Sequence, residues 1–348
     1  MRTDVARRSR RPGRLFNLLR GVAVLGGLAL ANHVAARRSE RRHPPTGRFL
    51  HIDGVRLHYT ERGSGPPVVL LHGNGAMWQD WEVSGVLDAL AARHRVIAFD
   101  RPGFGHTDRP RATVWTPSRQ AMLIAAALER LEVRKAVVVG HSWGALAALA
   151  LGLDHRVHTG ALVLVSGYYF PSLRMDVPMM GAPAVPVFGD IIRYTLSPPL
   201  GWLLRRPLVR KLFAPEPVTA QFRRSFPLAL ALRPSQIRAA AADTLLMVPG
   251  AAALCLRLEE LKMKVVIVTG THDDLVDVDW QARHLHYQLA DSTLIEVEGG
   301  GHMVHHTAPD QVVEAVRLVM GDASLPILQA DRRDTDPVAE QERVGDHP

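Results

Sequence analysis

A serine between two glycines, a histidine behind three glycines and an aspartate in a short polar turn are the residues of this chain best placed to do chemistry. Ser142 stands in Gly140-His141-Ser142-Trp143-Gly144, directly after the apolar run Ala136–Val139 and before the alanine-rich stretch Ala145–Leu153. The pattern predicts a buried strand, a sharp turn and a helix. Such a turn thrusts Ser142 Oγ out at the carboxyl end of the strand, at a helix N-terminus whose free N–H groups favour negative charge. Serine is a poor nucleophile at neutral pH, so a base must take its proton and an acid must orient that base.

Both partners stand later in the chain. The apolar, β-branched run Lys264–Val268 ends in Gly270-Thr271-His272-Asp273, which puts a carboxylate at the carboxyl end of a second buried strand. A third strand, Thr293–Val297, runs into Gly299-Gly300-Gly301-His302. His302 on that flexible glycine turn is the candidate base, with His305 and His306 as competitors on the start of the last helix. Asp273 is the candidate acid, with Asp274 and Asp277 as alternatives. His72 is expected to shape a loop, and His141 to face away from the site. No metal site is expected, because the histidines lack a His-x-x-x-His pair joined to a third ligand, and nothing in the pattern calls for a cofactor.

The elements that must position these groups alternate in type. Phe49–Thr60 reads as a hairpin around Asp53-Gly54. Short apolar strands at Val68–Leu71, Arg95–Phe99, Ala136–Val139 and Ala161–Ser166 are separated by helical patterns, as in a mostly parallel sheet with helices on both faces.

The order Ser142…Asp273…His302 and four motifs together resemble the α/β-hydrolase fold superfamily, over about residues 47–320. Leu70-Leu71-His72-Gly73-Asn74-Gly75 is similar to its oxyanion loop and Phe99-Asp100-Arg101-Pro102-Gly103-Phe104-Gly105 to its D-x-x-G-x-G turn. Gly270-x-x-Asp273 and Gly301-His302 resemble its acid and histidine turns. The resemblance implies an α/β core at 47–167 and 261–320 with a helical cap at 168–260. It implies an oxyanion hole from the backbone N–H groups of Asn74 and Trp143. Met179, Met180, Phe188, Trp202 and Phe213 of the cap are candidates for an apolar pocket or for packing within the cap. Trp78 and Trp143 are candidate substrate contacts, and Trp81 is equally a core residue.

The formal net charge of +8 is unevenly placed. Residues 1–43 hold eleven arginines against Asp4 and Glu40, while the rest carries 31 basic and 32 acidic residues. The neutral body gives no support to a nucleic-acid groove. Within the basic segment (1–46), Gly21–Ala36 is free of Asp, Glu, Lys and Arg, as in a membrane anchor or a signal peptide with Ala29-Leu30-Ala31 as cleavage site. A soluble extension is the other reading. Membrane association or export follows from the first two, a cytoplasmic location from the third. The polar tail at 321–348 is expected to be disordered. Cys255 is the only cysteine, so no internal disulfide forms.

The chemistry implied is hydrolysis of a small apolar ester or related acyl substrate through an acyl-serine, with a rate that falls at acid pH as the base protonates. Dehalogenases and epoxide hydrolases with a similar D-R-P-G-F-G segment use aspartate where this chain has Ser142. Cofactor-free haloperoxidases (perhydrolases) and carbon–carbon bond hydrolases share the serine triad and stay open as alternatives. A catalytically silent binding module on the same fold is the reading from another class.

Overall fold

The computed structural model describes residues 13–321, with Arg14 and Leu15 described by backbone alone. The tail expected to be disordered lies, beyond Gly321, outside the described residues, as do residues 1–12 of the basic segment.

Eight strands form one sheet: β1 (Arg48–Ile52), β2 (Val55–Arg62), β3 (Pro67–Leu71), β4 (Arg95–Phe99), β5 (Ala136–His141), β6 (Thr159–Val165), β7 (Val265–Gly270) and β8 (Ser292–Val297). Their order is β1-β2-β4-β3-β5-β6-β7-β8. β1 and β2 are a hairpin, closed by Asp53 and Gly54 at positive φ, and β2 is antiparallel to β4. From β4 to β8 every pairing is parallel, which needs the helical crossovers that the sequence supplies.

Period-two alternation splits the strands between two apolar layers. Val69 and Leu71 of β3 and Val138 of β5 pack on one face with the helices Pro117–Arg130 and Trp143–Asp154. Val68, Leu70, Val137 and Val139 pack on the other, with the helices Val86–Ala91 and Pro309–Met320. Being covered on both faces explains why these strands read as continuous Val/Leu/Ile runs.

Between β6 and β7 the regular elements are all helical, among them Phe188–Thr195, Ser197–Phe213 and Pro234–Cys255. This cap is bolted to the core by a buried ion pair. Arg101, just after β4, meets Asp243 of the Pro234–Cys255 helix at 2.6 Å, and neither side chain has solvent contact. Arg109 reaches the other carboxylate oxygen at 2.8 Å, with Gln120 beside it. Arg101 also donates to the carbonyls of His72 and Gly73 at 2.8 and 3.0 Å, so one guanidinium fixes both the cap helix and the loop after β3.

The N-terminal helix Arg14–Arg42 is 29 residues long, and its most apolar window is wholly unburied. Its carboxyl half docks on the cap: Asn32 Nδ2 donates to the carbonyls of Tyr194 and Thr195, and Glu40 pairs with Arg233 at 3.0 Å.

Removing one partner of a buried ion pair leaves the other charge stranded. Asp243→Ala is therefore expected to destabilise the protein by about 3–5 kcal/mol, read as a drop in denaturation midpoint. A loss within about 0.5 kcal/mol, typical of surface changes, would contradict that role.

Candidate active site

The site begins with a close approach. The Trp143–Asp154 helix starts one residue after β5 ends, and Ser142 takes φ 53° and ψ −120° to make the turn. A non-glycine residue rarely adopts such values, and the strain persists only where packing enforces it. A Cβ on Gly144 would overlap the carbonyl oxygens of Leu71 and His72, so only glycine lets the helix come this near β3.

The three predicted residues come together at the carboxyl ends of β5, β7 and β8. His302 Nε2 lies 3.0 Å from Ser142 Oγ, and His302 Nδ1 lies 2.7 Å from Asp273 Oδ2. With the carboxylate accepting at Nδ1–H, the Nε2 lone pair faces the serine hydroxyl, the tautomer a base requires. Asp273 Oδ1 accepts the N–H groups of Leu275 and Val276 at 2.9 and 3.0 Å, which holds the carboxylate in place. Asp273 and His302 are buried, whereas Ser142 is only partly covered. The alternative acids are elsewhere: Asp274 is exposed, and Asp277 accepts from the Trp280 N–H at 2.8 Å.

The packing bears on four expectations. The histidine turn is closely packed: a Cβ on Gly301 would overlap the Ala214 carbonyl, and Gly301 N–H donates to Glu216 Oε2 at 3.2 Å. His141 lies behind His302, its Nε2–H donating to the His302 carbonyl at 3.2 Å and its ring 4.0 Å from that of His305. Trp78 and Trp143, expected to touch substrate, are only 2 % and 1 % exposed. Trp78 packs with the helix-side core beside β3, while Trp143 lies under the Arg101 guanidinium and donates through Nε1 to the Asp243 carbonyl. Met179, Met180, Phe188 and Trp202 of the cap are exposed on its surface; of that group only Phe213 is buried.

Asn74 ties the loop after β3 to the cap, its side chain donating to the Ala240 carbonyl and Thr244 Oγ1 at 3.1 and 3.0 Å. Trp143 is the first residue of its helix, so its backbone N–H has no intrahelical acceptor. His72 shapes the loop as expected: its Nδ1–H donates to the Gly73 carbonyl, and its Nε2 accepts from Arg101 N–H.

His305 and His306 are also buried, not surface residues. They hydrogen-bond the two oxygens of Asp80 at 3.0 and 2.8 Å, on the far side of His141 from the serine. These three groups lie within reach of one another as metal ligands would, an arrangement that the search for a helical histidine pair could not find. The direct hydrogen bonds already account for their positions. Burial opposes the charge of Asp80, yet His305 and His306 hold its carboxyl well below the usual range. The sequence signal for this cluster was faint: a lone aspartate between Trp78 and Trp81.

Burial lowers His72 to about 3, with Arg101 adding to the effect, and His305 to about 4. His141 is driven well down by burial and then by His305 and His302. These rings are neutral in the folded protein at neutral pH, whereas in the unfolded chain they titrate near about 6.5. From about pH 6.5 down to 4 the unfolded chain binds more protons, so stability falls as pH falls. His72 and His305 are each expected to remove about 2 kcal/mol between about pH 7 and 5. Denaturant titration of the full-length protein at both values measures this, and equal midpoints would contradict neutral burial.

A sequence profile of the Alpha/beta hydrolase family matches residues 68–315. Among characterised relatives, haloalkane dehalogenase 2 of Mycobacterium bovis is 25 % identical over 290 residues, 79 % of this chain and 94 % of that protein. A 2-hydroxymuconate semialdehyde hydrolase of Pseudomonas sp. strain CF600 is 34 % identical over 133 residues, covering 37 % of this chain and 46 % of that enzyme. In that case the match spans less than half of the relative's length. Among solved structures, the epoxide hydrolase CorEH superposes with a TM-score of 0.65 at 24 % identity, over 79 % of this chain and 98 % of that one.

Proposed function

This chain belongs to the alpha/beta hydrolase family, and we propose that it is a serine hydrolase that cleaves esters or related acyl substrates through an acyl-serine. The observation that carries the reading is the relay Ser142–His302–Asp273, in which only the serine is partly open to solvent. His302 takes the Ser142 proton as Oγ attacks the carbonyl carbon. The negatively charged Asp273 stabilises the imidazolium, and His302 then passes the proton to the leaving alcohol. The N–H groups of Trp143 and Asn74 receive the oxyanion, where loss of one such donor typically costs about 3–4 kcal/mol of barrier. Water activated by the neutral His302 releases the acid and restores Ser142.

Serine at this position weighs against the activities named for two of the similar proteins. Alkyl transfer from a haloalkane or an epoxide to Ser142 would leave an ether, which a histidine-activated water does not cleave. Carbon–carbon bond hydrolysis is the second reading, favoured by the similarity to the semialdehyde hydrolase.

Ser142→Ala is expected to abolish p-nitrophenyl ester turnover and fluorophosphonate labelling, with melting essentially unchanged. Labelling that survives in Ser142→Ala would refute the nucleophile. An ester-inactive chain that binds a ligand equally well with and without Ser142 would point to the binding module.

The long uncovered N-terminal helix further supports attachment to a membrane, with the enzyme body held close to the surface. The full-length protein is then expected in the membrane pellet after alkaline carbonate extraction. Its appearance wholly in the soluble fraction would overturn the anchor.

A further inference from the structure

The helix Phe188–Thr195 is folded inside out. Its packed side consists of Gly189, Arg193 and Thr195, with Arg193 paired to Asp190 and donating to the Pro234 carbonyl. Its outer side carries Phe188, Ile191 and Tyr194, spaced three residues apart and all exposed, Phe188 by 59 %. A water-facing helix shows the opposite pattern. The next helix, Ser197–Phe213, continues the surface: Leu200, Leu203, Leu204 and Leu208 form one exposed stripe, with Leu203 at 73 %. Contiguous apolar surface of this kind marks a contact with a partner or a membrane.

Two further observations identify the occupant. The inside-out helix is the one on which the N-terminal helix docks, through Asn32 and the carbonyls of Tyr194 and Thr195. The surface therefore starts beside the segment placed in the membrane. It is also cationic: residues 168–213 hold six basic side chains against two acidic ones, and both acids, Asp176 and Asp190, are paired with arginines. The exposed Arg206, Arg210 and Lys211 border the leucine stripe, and Arg37, Arg38, Arg41 and Arg42 end the N-terminal helix. An apolar face with a basic border fits the anionic surface of a lipid bilayer.

We propose that this face of the cap seats in the headgroup region of an anionic membrane, so that the site is supplied with acyl substrates that partition into lipid. The second clause rests on the serine-hydrolase reading; the first does not. The Ser197–Phe213 helix links the two places. It carries the leucine stripe on its surface, and it ends at buried Phe213, whose ring lies 5.5 Å from that of His306, while the next residue, Ala214, packs on Gly301 of the histidine turn. The membrane-facing helix thus ends beside the turn that carries His302.

The test places an environment-sensitive NBD label at Leu203→Cys in a Cys255→Ser background of the full-length protein, reconstituted in phosphatidylcholine–phosphatidylglycerol vesicles. The control site is the exposed Glu129→Cys. The expected result is blue-shifted emission at position 203, quenched by spin-labelled lipid, with unquenched, water-like emission at 129. Water-like emission at 203 would overturn the proposal. So would a blue shift that lipid does not quench and that grows with protein density, because it would make a second copy of the chain the occupant. A Phe188→Asp/Ile191→Asp/Leu203→Asp variant is expected to lose about tenfold on a long-chain ester held in vesicles while keeping its rate on a water-soluble ester. Equal loss on both esters would overturn the supply of substrate from lipid. Inactivity of the unaltered enzyme on both esters would refute the hydrolase reading and leave the fluorescence result standing.

Discussion

The distance between one helix and one strand decides most of what this molecule can do. The Trp143–Asp154 helix lies so close to β3 that position 144 has no room for a side chain. That contact forces Ser142 into its strained backbone, lifts its hydroxyl above the sheet and sets it beside the loop that carries His72 and Asn74. The parallel sheet supplies the rest, because strands that all run one way deliver their following loops to one edge. Residues 160 positions apart in sequence, Ser142 and His302, are neighbours for that reason.

The parts of the site that were legible in the sequence were those with a local signature. A strand–turn–helix pattern selected Ser142, and glycine turns after apolar runs selected Asp273 and His302. The cap appeared as an interruption in the strand–helix alternation. Contacts between distant segments left no such mark. Nothing near Asp80 announces two histidines from the last part of the chain. Asp243 is one of only two charged residues in the Pro234–Cys255 helix, a signal that was there but unread. The aromatic side chains misled for a related reason: Trp78 and Trp143 lie near the site in sequence, but their size draws them into the core.

The surroundings of His302 divide into a wet side and a dry side. Towards Ser142 the ring meets the partly open site; behind it lie His141, His305 and Asp80, all buried. His141 donates to the backbone carbonyl of His302, and its ring packs against that of His305, which is hydrogen-bonded to Asp80. In the proposed relay, a histidine that serves both serine and leaving group benefits from a fixed backbone, which His141 supplies.

The bolt between Arg101 and Asp243 bears on how anything reaches Ser142. A hinged lid would have to pull two fully buried charges apart at every cycle, and would drag the loop after β3 with it. The Pro234–Cys255 helix is thus a permanent roof beam. Any route to Ser142 then passes around this helix and does not depend on lifting it.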